Sequence, residues 1–171
     1  MMRKTGIDMW IILCNEDHYD PVFKSMVPLD AWFPITQALV LYDRGPDQGV
    51  ERLNLSRSDM RGLFEDAWNY RAWDNEKKES QWEALARVVK ERKPKKIGIN
   101  QSSAVWAADG LSISLKEKLI QTIGPEYAAR LVPAEELARL WLETLLDENW
   151  TSTRPWWSWP MRSSIRPCRA R

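Results

Sequence analysis

The sequence predicts an α/β domain, a mixed sheet with helices on its faces, and three observations carry that expectation. Near-continuous apolar runs rich in β-branched residues, residues 6–14 first among them, suit strands covered on both sides. Two extended runs joined by a Gly/Pro/Asp loop read as an antiparallel hairpin. Beyond it, amphipathic helical stretches alternate with short strands, the order that lays helices over a sheet. At 171 residues the chain has room for one domain with a real core.

Each element has a local reason. Residues 6–14 (GIDMWIILC) read as the first, central strand. Asp20-Pro21 ahead of Val22, Phe23, Met26 and Val27 is an N-cap with proline at the first helical position, and Pro28 stops that short helix. Ile35 to Tyr42 and Val50 to Leu55 form the hairpin around the loop from Asp43 to Gly49. Met60, Leu63, Phe64, Ala67 and Trp68 recur at three- and four-residue steps, so a helix is expected from Ser58 to Trp73, with Ser58 or Asp59 as cap. Gly62 weakens it. Ser80 to Arg92 carries a stripe of Trp82, Leu85, Ala86, Val88 and Val89, with Glu83 in the first turn and Lys90, Arg92 and Lys93 where the helix dipole favours cations. Pro94 ends that helix and Ile97-Gly98-Ile99 follows as a short strand. Ser114-Leu115-Lys116-Glu117 reads as a capping box for a helix through Ile123, which Gly124-Pro125 stops. Arg130 to Val132 is a strand, and Pro133 at the first helical position opens Ala134 to Leu146, with Leu137, Leu140, Trp141, Leu145 and Leu146 on one side.

Composition excludes several classes. No apolar run approaches the roughly 20 residues that span a bilayer, and the stretch from Ile7 to Cys14 is short, holds Asp8 and lacks a cleavage site, so it is not a secretory signal. A cytoplasmic protein is expected. The first strand begins close to the start of the sequence, which leaves room upstream for a missing helix or signal peptide. Cys14 and Cys168 form neither a disulfide framework nor a zinc spacing. The eleven tryptophans divide unevenly: Trp150, Trp156, Trp157 and Trp159 fall in a tail with three prolines and five arginines, and no acidic residue follows Glu148. Setting those arginines aside leaves 20 of the 25 basic residues against 24 acidic ones, so the body is mildly acidic and its tail cationic. A domain over residues 1–147 followed by a tail over 148–171 is the expected organisation.

No catalytic constellation is visible. His18, the one histidine, lies in Asn15-Glu16-Asp17-His18-Tyr19-Asp20 just after the first strand, where α/β ligand sites often sit. Consecutive acids with one His fit neither an HExxH helix nor an EF-hand, so a solvated loop is the expectation. Cys14 reads as a small buried hydrophobe, Asp109-Gly110 as a turn, and Lys93-Pro94-Lys95-Lys96 as a solvated helix exit and no nucleic-acid patch. There is no G-x-S-x-G, Walker or G-x-G-x-x-G motif. The body tryptophans Trp10, Trp32, Trp68, Trp73, Trp82, Trp106 and Trp141 read as core and interface anchors, not a ligand cage. No catalytic, cofactor-binding or metal-ligating residue is therefore assigned.

One longer pattern is specific. Gly6-Ile7-Asp8-Met9-Trp10-Ile11 and Asp20-Pro21-Val22-Phe23 open it, and Ile97-Gly98-Ile99-Asn100-Gln101-Ser102, Trp106 and Ala108-Asp109-Gly110-Leu111-Ser112 continue it. Gly124-Pro125-Glu126-Tyr127, Arg130-Leu131-Val132 and Trp141-Leu142-Glu143-Thr144 complete it. In order, over about residues 5–147, these resemble the N-terminal domain of creatinase/prolidase-type (M24) Xaa-Pro aminopeptidases. The resemblance implies a three-layer α/β/α domain with a ribonuclease-H-like mixed sheet. It implies that a second, pita-bread domain supplies two Asp, one His and two Glu for two divalent metal ions, Mn or Zn, whose bridging hydroxide attacks the bond before proline. The N-terminal domain then helps form dimers and walls the active site. None of the five metal ligands can be carried onto this chain, which is expected to be inactive alone and to act as a homodimer or with a complementary catalytic domain.

The tail has three readings. A Trp codon read one nucleotide early encodes Leu, Met or Val, and permitted codons for residues 149–164 so shifted give an ordinary apolar continuation, as a frameshifted start of the missing domain would. A disordered tail is the second, since three Pro and five Arg build no core. The third is a free-standing interaction domain whose cationic Trp-rich tail seeks anionic membranes, which ranks below the truncated peptidase domain. An intact small hydrolase ranks last, because metal hydrolysis needs convergent ligands.

Overall fold

A computed structural model describes residues 1–29, 33–70 and 79–144 of the chain. Its central strand, β1 (Met9–Asn15), runs antiparallel to β2 (Thr36–Asp43), with Met9 opposite Tyr42 and Asn15 opposite Thr36. On its other side β1 runs parallel to β5 (Ile97–Ile99). Strands β3 (Val50–Asn54) and β4 (Glu65–Asp66) extend the sheet beyond β2, and β6 (Leu131–Pro133) extends it beyond β5, giving the order β4-β3-β2-β1-β5-β6. The sheet is mixed, as the element order predicts.

Alternation along β1 explains the layers. Met9, Ile11 and Leu13 point to one face, where Leu85, Val88 and Val89 of α3 (Gln81–Arg92) and Leu115 and Leu119 of α4 (Ile113–Ala128) cover them. Trp10, Ile12 and Cys14 point to the other, under Val22 and Phe23 of α2 (Pro21–Met26) and Leu137 and Ala138 of α5 (Glu135–Glu143). Each fully buried Leu, Val or Phe here contributes roughly 1.5–3 kcal/mol of transfer free energy. A four-residue helix, α1 (Met2–Thr5), precedes β1 and closes at Gly6 in the left-handed region (φ 67°). Sequence patterning does not anticipate it, and β1 accordingly starts at Met9 and not at Gly6. No helix among the described residues is long and apolar enough to cross a membrane.

Three expectations fail for stated reasons. The helix over 58–73 is absent from its described part: Leu63 donates to the Met60 carbonyl in a turn through Arg61 and Gly62, both at positive φ, and Glu65–Asp66 pairs with β3. Met60 joins the α2/α5 face while Trp68 joins the α3/α4 face, so the helical spacing belongs to a chain that crosses the sheet edge and buries residues on both sides. The cap of α4 is Ser112, whose hydroxyl accepts from the Leu115 amide, and Ser114 lies inside the helix. Gly124 does break helical geometry there (φ 80°, ψ 168°), and one more turn restarts at Pro125. Pro133 closes β6 and is not the first residue of α5: the Ala134 amide still donates to Ile99 O in the ladder, so the helix starts at Glu135. Leu145, Leu146, Trp32, Trp73, residues 71–73 of the expected helix, Cys168 and the 148–171 tail lie outside the described residues.

A candidate docking end of the sheet

The connections leaving β1 and β5 diverge. From β1 the chain turns through α2 to β2, and from β5 it turns the opposite way through α4 to β6. The carboxyl ends of two parallel strands whose connections part in this manner are where open α/β sheets hold ligands.

Among the described residues a buried polar chain occupies that end. Asp20, fully buried, caps α2: one carboxylate oxygen accepts from the amides of Val22 (2.7 Å) and Phe23 (3.1 Å). Its other oxygen accepts from Asn100 Nδ2 (2.9 Å), just past β5, and Asn100 Oδ1 accepts from the Trp10 indole N–H of β1 (2.7 Å). The direction of this chain is forced. An indole nitrogen only donates and a carboxylate only accepts, so the amide between them has one usable orientation. Gly110 closes over it, since a Cβ there would fall 1.9 Å from Asp20 Oδ2. Burial pushes the Asp20 carboxyl above its ordinary value, against the pull of its Asn100, Phe23 and Val22 hydrogen bonds.

Around this plug the surface inverts the usual rule of apolar inside, polar outside. Leu29 (91% exposed), Ile35 (57%), Trp106 (85%) and Ile113 (78%) all lie in, or first after, the connections that leave β1 and β5. Ile35 stands at φ 62°, a left-handed conformation that a β-branched residue rarely adopts. Glu16 holds it from both sides: its carboxylate accepts from the Ile35 amide (2.9 Å), and its own amide donates to Ile35 O (2.6 Å). Trp106 is presented by a loop with little freedom. The Ser102 hydroxyl accepts from the amides of Ala104 (3.1 Å) and Val105 (2.7 Å) and donates to the Glu135 carboxylate, while Asp109 accepts from the Ser102 amide (3.0 Å).

The sequence-stated candidates separate on this geometry. His18, Glu16 and Asp17 are exposed, and Asp20 is committed to the cap and to Asn100, so the four do not converge. Among the described residues no group of three His, Cys, Asp or Glu side chains is placed to hold a metal ion. Cys14 is buried and its thiol is pushed up to about 12 by desolvation, which leaves it inert. Lys93, Lys95 and Lys96 are exposed, and the Lys95 and Lys96 amides donate to Asp8 (2.7 Å each). Trp10 and Trp68 are core residues and Trp82 and Trp141 are half-buried, but Trp106 faces solvent. Sequence reading misses Asn100 and the role of Gly110. A polar residue directly after an apolar three-residue strand is the one signal that points to Asn100. No family model, no characterised protein and no solved structure matches this chain.

Proposed function

We propose that this chain is a non-catalytic docking domain, the N-terminal part of an M24 Xaa-Pro aminopeptidase-like metallopeptidase, acting through dimerisation and as one wall of a peptide site that another domain completes. The observation that supports it is the carboxyl end of the sheet: a buried hydrogen-bonded chain joins β1, α2 and the residue after β5, and the most exposed apolar side chains lie in, or first after, the connections that leave β1 and β5. Exposed aromatic and aliphatic groups of this kind are what interface hot spots are made of. The two divalent ions of the family do not fit the described residues, because the buried carboxylate of Asp20 already accepts three hydrogen bonds and no other acids gather near it. The metal-binding chemistry belongs, on this reading, to the partner domain.

Two measurements test it. The purified chain should not hydrolyse an Xaa-Pro peptide with manganese or zinc added; turnover would overturn the non-catalytic half. Sedimentation at tens of micromolar should give a dimer that Trp106→Ala shifts toward monomer by tenfold or more in Kd. A parent that stays monomeric overturns dimerisation.

A further inference from the structure

We infer that the Trp10–Asn100–Asp20 hydrogen-bond chain is a tether that sets the position of one half of the exposed rim relative to the other, and that Asp20 and Asn100 are positioning residues for docking. The rim has two halves on two separate stretches of chain. Leu29 and Ile35 belong to the β1–β2 connection, and Trp106 and Ile113 to the β5–α4 connection. Apolar packing and the hydrogen-bond chain both join those stretches. Val22 and Phe23 of α2 share an apolar cluster with Ala108, the residue that ends the short 3-10 turn Trp106–Ala108. Such packing fills space but has no donor–acceptor direction, so it fixes the spacing of the two stretches less sharply than a hydrogen bond does.

The hydrogen-bond chain adds that direction. Asp20 stands at the head of α2 and Asn100 at the head of the β5–α4 connection, and their bond crosses the gap inside the protein, where an unmade partner cannot be replaced by water. Trp10 anchors the far end to the middle of the sheet, and Gly110 shuts the chain in from the side of the Trp106 loop. A docking surface made of two loops has useful affinity only if the loops keep one spacing, since ordering them at the moment of binding costs free energy. The tether supplies that spacing in advance.

The polarity of the chain provides a sharp test. In Asp20→Asn the side-chain oxygen still caps α2, but the new amide nitrogen meets the Asn100 amide nitrogen, two donors face to face; flipping Asn100 only moves the conflict to the Trp10 N–H. The double swap Asp20→Asn with Asn100→Asp restores every donor–acceptor pair. Nitroxide labels at Leu29→Cys and Ser103→Cys, one in each connection, in the full chain with Cys168→Ser, report the spacing by electron–electron double resonance; Cys14 is buried and unreactive. Diluted into an excess of unlabelled chain, so that a dimer carries labels on one copy, the parent should give one narrow distance distribution, Asp20→Asn one at least twice as broad, and the double swap a return to the parent width. The Trp10 indole N–H resonance should move upfield in the single variant and return in the swap.

A single variant as narrow as the parent, or a swap as broad as the single variant, overturns the tether. Val88→Ala, which weakens the opposite face of the sheet, should lower stability without broadening; equal broadening there would reduce the effect to general destabilisation and also overturn it. The inference rests on the docking reading for its purpose, but the two fail separately. Unchanged spacing would remove the tether with the rim intact as a docking surface, and a restored spacing without a dimer would remove the dimer alone.

Discussion

The two ends of the sheet solve opposite problems. At the amino end of β1, charge is outside and paired. Arg3 bridges to Asp43 (2.7 Å) and to Gly45 O, Arg92 bridges to Glu51 (2.8 Å), and Asp8 accepts from two successive backbone amides. These contacts hold α1, the hairpin and the exit of α3 on the sheet; Arg3 is open to solvent, where screening leaves its pair little net worth, and Arg92–Glu51 is half-buried. At the carboxyl end one directed chain of polar groups is buried, and large apolar side chains stand in solvent. Stability alone favours the first arrangement. Exposed Trp, Leu and Ile lose no water there, and a left-handed Ile35 costs backbone energy, so the second end carries features that folding does not require.

Three substitutions probe that contrast. The largest effect is expected of Gly110→Ala, which drives a methyl into the Asp20 carboxylate and should cost about 3 kcal/mol, the upper end for overpacking, read as a shift in denaturant midpoint. An unchanged midpoint would mean that the carboxyl end yields easily, and the contrast with the amino end would disappear. Ile35→Asn should act in the other direction. Asparagine tolerates the left-handed region, so relief of about 1 kcal/mol is expected, and a loss of stability instead would show that Ile35 has packing the exposed surface does not reveal.

The smallest effect lies at the amino end and depends on pH. The hydrogen bond from Arg92, partly offset by desolvation, holds the Glu51 carboxyl below its ordinary value. A lowered folded value means that the contribution is present above the unfolded value, about 4.3, and is lost as pH falls through the folded value. Glu51→Gln should therefore be less stable than the parent by up to about 1 kcal/mol at neutral pH, and the two stability curves should converge on acidification below about pH 4. Curves that stay parallel would remove the pair from the stability of this end. Asp20 has the opposite sign. Its raised value means that protonation between the ordinary and the folded value favours the native state, the reverse of the effect at Glu51.

Much of the fold is legible in the sequence because its signals are local. Asp20-Pro21 announces α2 by capping chemistry, and Ser80 with Glu83 closes a capping box at the start of α3. The apolar run around Met9–Asn15 announces a strand buried on both faces. Where the reading fails, the spacing of side chains is shared between partners that the sequence does not order. Met60 and Trp68 look like one helical stripe and bury on opposite faces of the sheet. Ser114 with Glu117 looks like the cap of α4 by its spacing, yet the chain that returns from Asn100 enters the helix at Ser112.

The candidate site divides in the same manner. Residue types and their order determine the α/β class, the Asp20 cap of α2, the inert Cys14 and the absence of any known catalytic motif, because each depends on a residue and its near neighbours. That Asn100 meets both Trp10 and Asp20, residues 90 and 80 positions away, is decided only by the crossover that lays β5 beside β1. Whether a tryptophan is core or surface is settled there too. Trp10 and Trp106 are the same side chain, and burial separates them because one alternates into a sheet face while the other sits on a loop that nothing described covers.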